Sequence, residues 1–407
     1  MYCPPSRSYW LRSAHEEFPL DEALLSPTDR RQNLIAVTAS MAATALIYGL
    51  SVPLLSLILA DRGAGGTLIG SQTAVQSGAI LLISPFVPRY MSKMGPAVLM
   101  LGGILVSLVA FLLLAVFPSI LAWYVLRFIM GAAAAVLWVC GETWINQITE
   151  DSMRGRIVAI YGMAISAGFA LGPAVLSVTG TRGLTPFIVS GAIMLLSALP
   201  VLTVLNKSPR LDGERMGPLH RYFRLAPVAM LLCALFAAAD GMLISFLPLY
   251  GKDVGLSEAG ALYLITFYGI GGIVGQIPIG WLADHMDRML LATICTFFIV
   301  VTSLAMPFAI SLQTWNMVYM LVIGAFLAGV YTIGLVIIGE QFKGADLAAA
   351  SAVFGFFFGV GTMVGPQLGG IAYDQFPPHG IPLVLAVLAA LLLPFPAAAW
   401  LRRRASR

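Results

Sequence analysis

Four ionisable residues, Arg127, Glu142, Asp240 and Glu340, fall inside long apolar runs of the sequence. Charge is costly in such surroundings, so an ionisable residue kept there marks a candidate functional site. A buried guanidinium can attract an anionic group or bias a nearby proton site. A carboxyl taken out of water holds its proton more readily, which suits a group that must load and release one. At roughly 1.5 Å per helical residue, Arg127 lies about 12 Å inside one end of its run, and Asp240 about 15 Å inside the equivalent end of its own. The structural alternative is a permanent Arg127–Asp240 pair, or Arg127 capped by backbone carbonyls.

On a helical wheel, Trp138 lies about 20° from Arg127 and Glu142 about 60° from it. One helix face therefore presents Arg127, Gly131, Trp138 and Glu142. Trp138 suits stacking on a flat or cationic substrate, and equally suits packing or anchoring at the membrane interface. Glu142 and Glu340 come near the ends of their runs, level with Arg154, Arg156, Asp284, Arg288 and Lys343 in the adjoining loops. Together these make a set of salt bridges able to close the cytoplasmic face as a gate. Exposed pairs contribute only about 0–1 kcal/mol each, so they can break during a cycle.

The elements that must position these residues are membrane helices. The chain has 407 residues, 59% hydrophobic and 10% charged, against roughly 25% charged in soluble proteins. About 20 apolar residues are needed to cross the hydrocarbon core. Twelve such runs are readable, at 34–60, 67–88, 96–117, 119–148, 157–178, 186–205, 225–250, 258–283, 289–310, 315–340, 347–373 and 381–401. They are continuously apolar rather than alternating, which excludes a β-barrel. If the amino terminus is inside, nineteen of the twenty-three Lys and Arg fall on the cytoplasmic side and three, Arg62, Arg182 and Lys252, outside. That asymmetry predicts both termini in the cytoplasm.

Residues 1–32 are charged and lack an apolar core, so they read as a cytoplasmic tail and not a secretory signal. Cys140, Cys233 and Cys295 sit in apolar runs without metal-ligand spacing and read as small hydrophobes, so no disulfide framework is expected. No Walker A loop, HExxH or GxSxG motif occurs, which points away from ATP-driven transport and from an enzyme. No cofactor or metal and no nucleic-acid partner is expected.

The polar stretch 206–224 divides the runs into halves, giving bundles at 33–205 and 225–401 and a short tail at 402–407. The halves repeat. An offset of 192 takes Gly49 to Gly241 and Asp61 to Asp253, and one of 193 takes Gly172-Pro173 to Gly365-Pro366. Two similar bundles can rock about a site at their interface.

Several motifs resemble those of the major facilitator superfamily over residues 33–401. Gly280-Trp-Leu-Ala-Asp284-His-Met-Asp287-Arg288 resembles its G-x-x-x-D-R-x-G-R-K loop, whereas the first-half equivalent carries Pro88 and Ser92 in place of the Gly and the acid. Arg127-Phe-Ile-Met-Gly131 resembles the R-x-x-x-G motif of span four. Gly168-x-x-x-Gly172-Pro173 in span five and Gly361-x-x-x-Gly365-Pro366-x-x-Gly369-Gly370 in span eleven resemble the motif of antiporters, which is complete only in the latter. The sequence is also similar to a branch of bacterial permeases of unassigned substrate. The resemblance implies an all-α membrane protein of twelve transmembrane helices in two six-helix bundles, with spans one, four, seven and ten lining a cavity. Arg127, Asp240 and Trp138 would then bind substrate or proton. Gly168, Gly172, Pro173, Gly361, Gly365 and Pro366 would set how spans five and eleven slide between the halves.

These readings predict a proton-coupled secondary transporter of a small organic solute in the bacterial inner membrane, acting as a monomer, with efflux preferred over uptake. Proton-linked uptake is the alternative. A sensor or assembly factor that kept the fold and lost transport is the alternative of another class.

Overall fold

The apolar runs become helices because every backbone polar group in lipid must be satisfied within its own segment. The computed structural model describes residues 26–149, 153–208, 219–312, 315–343 and 345–405. The tail at 1–25, the centre of the linker at 209–218 and residues 406–407 lie outside the described residues. In the first half the helices are α1 (Pro27–Asp61), α2 (Gly66–Ile83), α3 (Val87–Met94), α4 (Pro96–Val116), α5 (Ile120–Ile148), α6 (Arg154–Thr179) and α7 (Thr185–Thr203). In the second they are α8 (Leu219–Leu225), α9 (Pro227–Asp253), α10 (Glu258–His285), α11 (Arg288–Ser311), α12 (Asn316–Gln341), α13 (Ala345–Gln375), α14 (Gly380–Leu392) and α15 (Pro394–Ala405).

Among the described residues, eleven helical stretches are long and apolar enough to cross a membrane. The twelfth span is α2, made more polar by Gln72 and Gln76, and continued through a 3-10 turn at Ser84–Phe86 into α3. Hydropathy misplaces some ends. Span one starts at Pro27 because Ser26 caps it, accepting from Asp29 N at 3.1 Å, with Pro27 in the first turn. Residues 27–32 are therefore helix and not tail. The last span of the chain breaks between α14 and α15 at Pro394, which cannot donate into the helix.

α1 packs on α6 and α7, and α5 on α2 and α4; in the second half α9 packs on α13, and α12 on α10 and α11. The halves meet through α2–α13, α6–α10 and α1–α9. The outer helices α4, α7, α11 and α14 expose Leu105, Val109, Ile188, Leu195, Phe297, Phe308, Leu383 and Leu391. This apolar belt is the surface a bilayer would cover.

Gly168, Gly172, Gly361 and Gly365 pack inside each bundle, a correction to their expected place between the halves. A β-carbon on Gly172 would stand 2.5 Å from Leu50 N on α1, and Gly168 abuts Ala42 and Leu46. Gly361 abuts Ala234 and Ala238 on α9, and Gly365 abuts Ala238. The partner pairs Ala42/Ala234 and Leu46/Ala238 keep the sequence offset of 192, so the repeat holds in three dimensions. Of the motif residues, Pro366 and Gly370 do reach the interface, where the Pro366 carbonyl oxygen abuts Gly70 and Gly370 abuts Gly66, both on α2. Pro173 and Pro366 both lie inside their helices.

Gly172→Ala should lower the unfolding temperature in detergent, at an overpacking cost of about 1–3 kcal/mol. Gly162→Ala, on the same helix with open space around it, should leave the temperature unchanged or raise it. Equal melts for the two variants would mean that α1 and α6 are not in backbone contact.

Candidate functional site

Arg127 is fully buried on α5. Its guanidinium donates through Nη1 to Gln76 Oε1 and through Nη2 to Thr73 Oγ1 at 3.3 Å, both on α2, while Nε has no partner among the described residues. Gly131, one turn further along α5, makes this possible. It lies against the Gln76 carbonyl, so the two helices touch along their backbones. Tyr48 of α1 stands within electrostatic reach of Arg127 and donates to Met130 O at 3.4 Å. Ser245 of α9 lies 3.4 Å from Thr73 Oγ1, which carries the polar network across the bundle boundary.

Asp240 of α9 is half-buried and accepts from the hydroxyl of Tyr268 on α10 at 2.9 Å. It is not paired with Arg127: the guanidinium takes neutral partners on α2 and the carboxylate a neutral partner on α10. The permanent ion pair and the carbonyl-capped arginine are both replaced by this arrangement. Trp138 is half-buried in an aromatic group that joins three helices. It stacks on Phe169 of α6 at 5.9 Å and meets Tyr48 edge-on at 6.4 Å.

The expected gate residues do not form one network. Arg288 pairs with Glu340, but both lie in the second bundle, on α11 and α12. Glu142, Asp284 and Arg156 are exposed, and none of them joins an ion pair among the described residues. Arg154 opens α6, and its side chain lies outside what the structure describes. Asp287 accepts from Met289 N and Leu290 N at 2.9 and 3.1 Å, capping α11.

Apart from the buried Ser245–Thr73 contact, the polar contacts that join the bundles among the described residues lie on the face opposite the termini. Asp374, at the end of α13, accepts from Gly66 N at 2.6 Å, Thr67 N at 2.7 Å and Thr67 Oγ1 at 2.6 Å. A carboxylate there also meets the positive end of the α2 dipole. Lys252 bridges to Asp61 at 3.3 Å, and Thr181 donates to Glu258. Thr181 and Asp374 occupy repeat-equivalent positions, as do Gly66 and Glu258. Backbones touch on this side, where a β-carbon on Gly66 would stand 2.7 Å from Gly370 O. Towards the terminal face, the side chains of Met363 and Leu81 stand between the same two helices, opposite Gly78 and Gly359. The halves are thus closed on the distal face and spread by side-chain width on the terminal one.

Several of these residues give no sequence signal. Thr73, Gln76 and Tyr268 are uncharged, and Asp374 sits at a helix end, where an acid is ordinary. Only the partner positions, tens to hundreds of residues away, identify them.

Residues 37–325 and 229–407 match the profile of the Major Facilitator Superfamily, and the chain belongs to that family. It is 26% identical over 342 residues to the uncharacterized MFS-type transporter YfkF of Bacillus subtilis, covering 81% of this chain and 85% of that one. It is 25% identical over 279 residues to the uncharacterized MFS-type transporter YcaD of Shigella flexneri, covering 68% and 71%. Among solved structures, a mutant of the nucleoside transporter NupG superposes with TM-score 0.77 at 13% identity, over 90% of this chain and 99% of that one. A bacterial homolog of the human lysosomal transporter Spinster superposes with TM-score 0.72 at 15% identity, over 92% and 96%. The fold is the twelve-helix, two-bundle fold of this family, and the chain is a multi-pass membrane transporter of a small molecule rather than an enzyme.

Gln76→Leu should destabilise the protein in a detergent melt by about 1–3 kcal/mol, the cost of leaving a buried polar partner unmade. The double variant Arg127→Met with Gln76→Leu should recover much of that loss, since both partners are then apolar. Strictly additive losses would show that the two side chains do not act as a unit.

Proposed function

We propose that the protein is a proton-coupled transporter that moves a small organic solute by alternating access across the bacterial inner membrane. It works as a monomer with both termini in the cytoplasm, and export is favoured over import. The observation that carries this reading is Asp240. Among the described residues its one hydrogen-bonding side-chain partner is the neutral Tyr268, so gaining or losing a proton breaks no ion pair. A structural carboxylate in lipid would be expected to sit against a cation. Arg127 lies close enough, through Thr73 and Ser245, to sense the state of α9 without neutralising Asp240.

With the basic residues inside, the splayed terminal face is cytoplasmic and the state is inward-open. The cycle must then break the distal contacts of Asp374, Lys252 and Thr181 and close the face that carries Glu142, Arg156, Asp284, Arg288 and Glu340. Export is favoured because the complete glycine–proline motif of α13 packs against α9, the helix that carries Asp240.

In proteoliposomes, a transported solute should drive proton movement in wild type and none with Asp240→Asn, provided the variant melts normally. Counterflow of protons and solute supports export by exchange, whereas co-directional flow supports uptake. A variant that moves protons like wild type would remove Asp240 from the coupling role. A broad solute panel that moves no protons would favour a sensor.

Asp374→Asn weakens the hold on the α2 terminus and should open the distal face more often. A Ser245→Cys reporter should then react several-fold faster with a membrane-impermeant maleimide applied from that side. An unchanged rate would show that the Asp374 contact does not keep the face closed.

A further inference from the structure

We propose that the α5 surface at Trp138 and Glu142 binds an aromatic organic cation, with Glu142 as its counter-ion. This rests on the transporter reading and adds the class of substrate. Glu142 follows Trp138 by one turn and is exposed. Among the described residues its carboxylate has no hydrogen bond or ion pair; only its backbone carbonyl is engaged, by Asn146. It stands within electrostatic reach of Tyr161 on α6 and of Tyr331 on α12 in the other bundle.

The repeat gives a reason why this acid has no counter-charge among the described residues. Its equivalent, Glu340, is neutralised by Arg288, and the position equivalent to Arg288 in the first half is Pro96. Among the described residues, no cation stands beside Glu142 in the place that Arg288 takes beside Glu340. A second unused group lies next to it. The Tyr161 hydroxyl is buried, packs against Gly141 and has no hydrogen-bond partner among the described residues.

The walls are aromatic on both sides. Trp138 is stacked with Phe169 on one bundle. On the other, Tyr331 meets Phe236 at 5.0 Å and Phe354 at 5.4 Å, with Phe358 at 6.2 Å. Ring faces attract a cation, and by more when it is desolvated. Phe236 precedes Asp240 by one turn on α9, so the aromatic wall leads from the cation site towards the proposed proton site. Arg127 cannot reverse this preference. It lies fifteen residues from Glu142, about 22 Å along the helix, and is fully buried. Among the described residues, an anion at Trp138 would therefore face Glu142 and no paired basic group, and a small zwitterion could not span the distance to Arg127.

The test is equilibrium binding of radiolabelled tetraphenylphosphonium to the purified full-length protein by scintillation proximity, beside tetraphenylborate, its anion of matching shape. Wild type should bind the phosphonium and reject the borate. Glu142→Gln should weaken phosphonium binding at least about tenfold, the loss of about 1.4 kcal/mol, and Glu142→Asp should restore part of it. Tyr331→Ala, from the opposite wall, should weaken it independently, and each variant is first checked by its thermal melt. Equal binding by wild type and Glu142→Gln, or borate binding as tight as phosphonium, overturns the assignment. No proton gradient is involved, so failure here with solute-driven proton flux intact removes the cation class and leaves the transporter reading standing.

Discussion

Two helices can touch along their backbones only where no side chain intervenes, and in this protein that condition fixes both the bundles and the state they are in. Gly168 and Gly172 seat α6 on α1, and Gly361 and Gly365 seat α13 on α9. Each bundle thereby gains a stiff pair of helices, because neither partner can shift without driving backbone into backbone. The same condition applies between bundles only in part. α2 and α13 meet through Gly66, Gly70 and Gly370 towards the distal face, but are held apart by Met363 and Leu81 towards the terminal face. A wedge follows from the positions of the glycines. Everything proposed about the site depends on it, because the wedge is what leaves Glu142 exposed while Arg127, deeper on the same helix, is sealed.

The duplication explains more of the molecule than its topology. Repeat-equivalent contacts close the distal face, as Thr181 on Glu258 and Asp374 on the α2 terminus. Equivalent contacts also seat α6 and α13. The chemistry lies where the repeat is broken. Arg127 has no charged counterpart one repeat later, Asp240 has none one repeat earlier, and Glu142 has lost the basic neighbour that Glu340 keeps. A symmetric pair of bundles can supply the rocking motion, but directional transport needs groups that differ between the halves.

Much of the fold is legible in the sequence because lipid makes hydropathy decisive: each span comes within a few residues except where helix-start chemistry overrides it, as at Ser26 and Pro27. Arg127, Asp240 and Glu142 are legible as costly charges. Their partners are not. Gln76 and Thr73 are 51 and 54 residues from Arg127 and carry no charge, and neutral polar residues are common enough in membrane helices to signal nothing alone. The gate shows a related limit. Sequence places acids and bases at one membrane level but cannot say which bundle each one faces, and in this state Arg288 and Glu340 pair within one bundle. Most of the motif glycines are misread, since small residues announce close approach without naming the helix approached.

Arg127 and Asp240 read from the sequence as lying at comparable depths, yet in the fold each takes neutral hydrogen-bonding partners rather than the other. A direct ion pair in a low dielectric would be hard to break, and a site locked in that way could not exchange a proton with each cycle. Neutral partners, Gln76 and Thr73 for the arginine and Tyr268 for the aspartate, solvate Arg127 by protein and, on the proposed function, leave Asp240 free to change state. Under the proposed coupling, no ion pair has to form or break. A proton on Asp240 need only alter how α9, and with it the α13 that packs on it, sits against α2. On that proposal, what looks like a missed salt bridge is what would let the site work in both states.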